Sequence, residues 1–100
     1  MEYEYMSMLK MTNIPTKSDR IQAALALANC VQRRRQNLGM SIECAADLAG
    51  MRVSEWCALE TGWVPDTFGT LQAVAGTLEL GYLQLSFLAE MSQYNQINPV

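Results

Sequence analysis

Residues 41–62 read SIECAADLAGMRVSEWCALETG, and this stretch decides the fold. Ser41 is a good N-cap, because its hydroxyl can accept a free N–H of a first helical turn. Glu43 lies in that turn, where negative charge suits the helix dipole. Gly50 follows the last helical position, where a left-handed backbone closes a helix and only glycine adopts it cheaply. The spacing predicts one helix over 41–49 and a second over 53–61, the latter closed by Gly62 in the same way. Counting Ile42 as the first position, Ala46 is fifth, Gly50 ninth, Trp56 fifteenth and Leu59 eighteenth. Two helices that cross steeply need a small residue at the crossing, which is Ala46, and a permissive turn residue, which is Gly50. They also need apolar side chains pointing back to a core, and Ala45, Ala49, Met51, Trp56 and Leu59 fit. The pattern is that of a helix-turn-helix. The plainer alternative is an ordinary pair of amphipathic helices.

Working outward from this pair, the 100 residues suffice for one small domain. Half of them are hydrophobic and 17% are charged, so a packed core forms without staples. No apolar run is long enough to cross a bilayer. The N-terminus begins with Glu2 and Glu4 and lacks the basic-then-apolar order of a signal peptide. Cys30, Cys44 and Cys57 are odd in number and none are paired at close spacing, which argues against a disulfide framework. With no histidine in the chain, a zinc site is not expected. A reducing, cytoplasmic setting fits this cysteine usage.

The net charge of −3 is unevenly spread. Residues 1–52 hold all seven Lys and Arg against five acids, a balance of +2. Residues 53–100 hold five acids and no base, a balance of −5. Contact with phosphate must therefore come from the first half.

Residues 1–15 are apolar but aperiodic, and are expected to be a partly mobile arm that docks on the body or on a second subunit. A helix should start at Thr16 or Ser18, since Thr16 and Asp19 have capping-box spacing, and run to Asn37. Ile21, Leu25, Ala28, Val31 and Leu38 form the stripe expected to face the core, widened by Leu27 and Cys30. Gly39 closes the helix. Its last turns carry Arg33, Arg34 and Arg35, and Arg33 and Arg34 are candidates for phosphate contact. After Pro65 a helix over 67–79 should bury Phe68, Leu71, Val74, Ala75 and Leu78. Gly81 marks a break. A final helix over 82–94 aligns Leu83, Phe87 and Met91, with Leu85, Leu88 and Tyr94 beside them. That is more apolar surface than one side of a small bundle needs, so the helix either closes its own core or also meets a second copy. Residues 16–94 thus form the domain, and residues 95–100 a fraying tail.

Residues 31–80 resemble the phage-repressor/Cro-like (XRE) helix-turn-helix domain. The landmarks are Arg35, then LGMS at 38–41, AADLAG at 45–50, LETG at 59–62, Pro65, and Leu71, Ala75 and Leu78 on one helix. The resemblance covers about half the chain and implies an all-α fold, a compact bundle of about five helices. It also implies a structural ion pair between Arg35 and Glu60. Members of the family mostly bind operator DNA as dimers, with the second motif helix in the major groove.

This sequence departs from the family on the exposed side. Ile42 stands where the family often has a glutamine that contacts the backbone. The outward face of the second motif helix comprises Arg52, Val53, Ser54, Cys57, Ala58 and Thr61, and only Arg52 is a strong base reader. Glu55 lies near this face and repels phosphate.

Two functions follow. The first is a DNA-binding transcriptional regulator, with Arg33, Arg34 and Arg52 on phosphates and the amides at Ser41 assisting. Ser54, Thr61, Val53 and Ala58 would add modest base discrimination. The second is a protein-binding module, an antirepressor or antitoxin-like adaptor, with Ile42, Val53, Cys57 and Ala58 as its patch and Trp63 at the rim. An enzyme is not expected, and no cofactor is implied. The chain has no histidine, no Gly-rich phosphate loop, and no Ser or Cys beside a suitable base.

Overall fold

The computed structural model describes residues 16–92, and these form an all-α bundle of five helices. We label them α1 (Lys17–Asn37), α2 (Ile42–Ala49), α3 (Val53–Glu60), α4 (Phe68–Leu78) and α5 (Tyr82–Ser92). The expected arm over 1–15, Tyr94 and the tail over 95–100 lie outside the described residues. Among the described residues no helix is long and apolar enough to cross a membrane.

Polar side chains start the helices where the sequence places them. At α1 the Thr16 hydroxyl accepts the Asp19 N–H at 3.0 Å, and Asp19 Oδ2 accepts the Thr16 N–H at 3.0 Å. This reciprocal box satisfies two amides that the helix cannot. The Ser41 hydroxyl accepts the Cys44 N–H at 3.0 Å and starts α2, and Thr67 starts α4 through the Thr70 N–H. At α3 only half of such a box exists, because arginine offers no acceptor. There Glu55 Oε1 accepts the Arg52 N–H at 2.9 Å.

Four helices end in one pattern. Met40 N–H donates to the Arg35 carbonyl, Met51 to Ala46, Trp63 to Ala58 and Leu80 to Ala75. Each of these six-residue closures needs a left-handed residue just before the donor. Gly39, Gly50 and Gly62 supply it three times, with φ of 73°, 70° and 118°. The fourth time it is Glu79, a non-glycine residue at φ 55°. Residues 79–81 separate α4 from α5, so Gly81 lies in the break expected there, and the helix-closing left-handed residue is Glu79.

The core gathers Leu27 and Val31 of α1, Ala45 and Ala46 of α2, Trp56 and Leu59 of α3, Leu71, Val74 and Leu78 of α4, and Leu85 of α5. Helix α1 packs along α5 and against α3, while α2 packs on α3 and α4. Ala46 on α2 is 1% exposed, so this small residue lies inside the core. The expected α1 stripe is corrected. Ile21 and Leu25 are about half exposed, at 51% and 49%, while Ala23, Leu27, Ala28 and Val31 are buried. The neighbours of α1 cover the Ala23–Leu27–Val31 ridge, and the Ile21–Leu25 ridge lies about 200° around the helix from it. Phe68 is corrected too. It begins α4 at the edge of the bundle, 66% exposed, with its ring 6.5 Å from that of Tyr82. On α5 the buried residues are Leu85 and Ala89, and Leu83 and Phe87 point away at 81% and 60% exposure.

Candidate functional site

Helix α3 has two sides of different character. Its inner side is fixed by Trp56 and Leu59, both fully buried, and by a polar network at its last turn. Arg35 Nε donates to Glu60 Oε2 at 2.5 Å and Nη2 donates to Oε1 at 3.0 Å. The same guanidinium donates through Nη1 to the Met40 carbonyl at 2.9 Å, and the Trp56 indole N–H donates to Glu60 Oε2 at 2.6 Å. The Glu60 hydrogen bonds raise the Arg35 pKa above its ordinary value; burial opposes them. Arg35 thus joins α1 to the end of α3 and to the loop before α2. The indole bond joins residues four apart on one helix, a spacing visible in the sequence.

The outer side of α3 is open. Val53, Ser54, Cys57 and Thr61 are exposed, and Ala58 is half-buried. Arg52 stands at the start of the helix with its side chain 82% exposed. It reaches Glu55 Oε2 at 3.6 Å, a surface contact of small energetic weight. Hydrogen bonding from the Arg52 N–H holds the Glu55 carboxyl below its ordinary pKa. Thr61 donates its hydroxyl to the Ala58 carbonyl at 2.9 Å, so only its oxygen lone pairs face outward. Ser54, Glu55, Ala58 and Trp63 line a shallow hollow beside this stripe. Ser41 places the N-terminus of α2 at the surface. Ile42 is half-buried against the core, and Cys44 and Cys57 are exposed free thiols.

The two arginines paired by the sequence reading part company. Arg33 is exposed. Arg34 is half-buried and engaged at the far end of α4: Nε donates to the Leu78 carbonyl at 2.8 Å and Nη2 lies 3.8 Å from Glu79 Oε1. Arg34 thus spends its Nε donor on closing α4, whereas Arg33 is exposed. A signal for this existed. Leu27, Val31 and Arg34 follow helical spacing, which puts Arg34 on the ridge that packs inward.

The exposed charges near this face are mixed. Glu43 and Asp47 on α2 are exposed, against Arg52. Among the described residues no three His, Cys, Asp or Glu side chains converge as metal ligands. Comparison with models of protein families, with curated proteins and with solved structures finds no match to this chain.

Proposed function

We propose that this protein is a cytoplasmic, DNA-binding transcriptional regulator of the phage-repressor/Cro-like type that uses α2 and α3 as a helix-turn-helix. One observation carries the reading: α3 is locked on its inner side by Arg35, Glu60 and Trp56 while its opposite stripe is open and slim. Ser54, Cys57, Ala58 and Thr61 are all small. A helix with its side chains measures about 10–12 Å across, and the major groove is about 12 Å wide. Small side chains let such a helix seat deeply, and Arg52 at its start reaches a phosphate or a guanine edge. Arg33 and the α2 N-terminus at Ser41 add phosphate contacts. Val53 and Ala58 offer apolar contact to thymine methyls, while Ser54 and Thr61 offer weak hydrogen bonds.

Operator binding of this kind uses two copies. Leu83 and Phe87 point directly away from the core of their own chain and are suited to an α5–α5 contact. The homodimer is part of the proposal.

A second reading is favoured by a specific observation. The exposed acids Glu43 and Asp47, together with exposed Val53 and Trp63, suit a protein partner at the α2–α3 face better than they suit phosphate. A mobility-shift assay at low salt, with random duplexes and with DNA from upstream of the coding region, separates the two. Retardation supports DNA binding. No shift with any duplex rejects it and leaves the protein-binding module.

A further inference from the structure

The acids of the C-terminal half fall into two groups. Glu55, Glu60 and Glu79 each have an arginine within ion-pair distance, Arg52, Arg35 and Arg34 respectively. Asp66 and Glu90 have none among the described residues, and both are exposed. These two line the same groove, which runs between the segment after Pro65 and α5. Its floor is apolar, built from Pro65, Leu71 and Ala89, with Phe68 at its edge. It encloses about 120 Å³, well below the roughly 300–1,000 Å³ of small-molecule pockets, and suits one or two inserted side chains.

We propose that this groove docks a cationic amphipathic segment of a partner protein, whose apolar side chain enters between Phe68 and Ala89 while flanking Lys or Arg residues meet Asp66 and Glu90. Charge complementarity selects this occupant. A second copy that turned its own groove onto this one would set Asp66 and Glu90 against the same two acids. A basic partner instead neutralises two carboxylates that have no ion-pair partner among the described residues. Opposed charges raise the association rate and fix the register, and the apolar insertion holds the complex. The groove shares no residue with the α3 stripe.

The test uses the full chain and three synthetic peptides. One has lysines flanking leucines on an amphipathic helix, one carries glutamates for the lysines, and one carries serines for the leucines. Amide chemical-shift mapping should show the lysine–leucine peptide perturbing residues 66–71 and 86–90, with the other two at least tenfold weaker. Asp66→Asn combined with Glu90→Gln should weaken that peptide at least tenfold without changing the unperturbed spectrum or DNA retardation. Perturbation spread over every acidic patch or centred on α2 and α3 would overturn the proposal. So would equal binding by the double variant, or self-association through the groove that excludes the peptide.

Discussion

Arg35 on α1 grips Glu60 on α3 through two parallel hydrogen bonds, and both side chains are nearly out of solvent, at 11% and 5% exposure. A buried pair of this geometry is costly to break, because either partner alone becomes an uncompensated charge. Arg35→Ala or Glu60→Ala should each lower the unfolding free energy by about 3–5 kcal/mol in urea titrations. Glu60→Ala also removes the acceptor of the Trp56 indole. Arg35→Met with Glu60→Leu should recover most of the loss, since well-packed apolar residues often replace such pairs at little cost. Unchanged midpoints in both single variants would remove the pair as the anchor of α3.

Arg34 is engaged within the fold, whereas Arg33 is exposed. Its guanidinium closes α4 at Leu78 and lies beside Glu79, the only non-glycine residue with positive φ among the described residues. Arg34→Ala should cost about 1 kcal/mol, a value in keeping with a half-exposed, charge-assisted hydrogen bond. Arg33→Ala should leave thermal melting unchanged and weaken only DNA binding. The reverse pattern would restore Arg34 as a ligand and contradict the cap.

Much of this architecture was legible in the chain, and the reason is local. Thr16, Ser41, Gly39, Gly50 and Gly62 act through their own backbone, so element boundaries fall within a residue or two of expectation. The burial of Ala45, Ala46, Trp56 and Leu59 on α2 and α3 follows the spacing expected of them. What the sequence left open depends on neighbours. Helix α1 carries apolar residues on more than one ridge, and only the positions of α3 and α5 decide that Ala23 and Leu27 go inward while Ile21 and Leu25 do not. Phe68 follows helical spacing but lies beyond the end of the core, where it meets Tyr82 instead. At the candidate site, the exposed stripe of α3 was readable from the buried one by subtraction. The engagement of Arg34 joins residues 44 apart in sequence, and its partner carbonyl leaves no trace in composition.

The proposed homodimer rests on the exposed line of Leu83 and Phe87 on α5. Phe87→Glu should convert a dimer to a monomer in light scattering and leave the helical content intact, since Phe87 contributes little to its own core. Because each copy is acidic, the dimer should tighten as salt rises, whereas DNA binding should loosen. A wild-type protein that is monomeric at all accessible concentrations would reject the α5 contact.

Two helix starts should respond to acid. Asp19 is held below its ordinary pKa by hydrogen bonds from Thr16, and Glu55 by the Arg52 N–H. A carboxyl with a depressed folded value contributes fully above its unfolded pKa, and that contribution fades as pH falls through the folded value. Amide exchange at the first turns of α1 and α3 should therefore accelerate, relative to helix centres, only below the usual carboxylate range. Asp19→Asn should abolish that pH dependence at α1 alone. Fraying that sets in near neutral pH would point to another group.

In the proposed regulator the open stripe of α3, led by Arg52, seats in DNA. The most direct measurement is the salt dependence of duplex binding by fluorescence anisotropy, for the wild type and for Arg52→Ala. Each phosphate contact adds roughly 0.9 to the slope of log affinity against log salt. Loss of Arg52 from both copies of a dimer should reduce affinity at every salt concentration and lower the slope by about 1.8, with thermal melting unchanged. Identical affinity and slope in the two proteins, or no binding at low salt by either, would contradict the account.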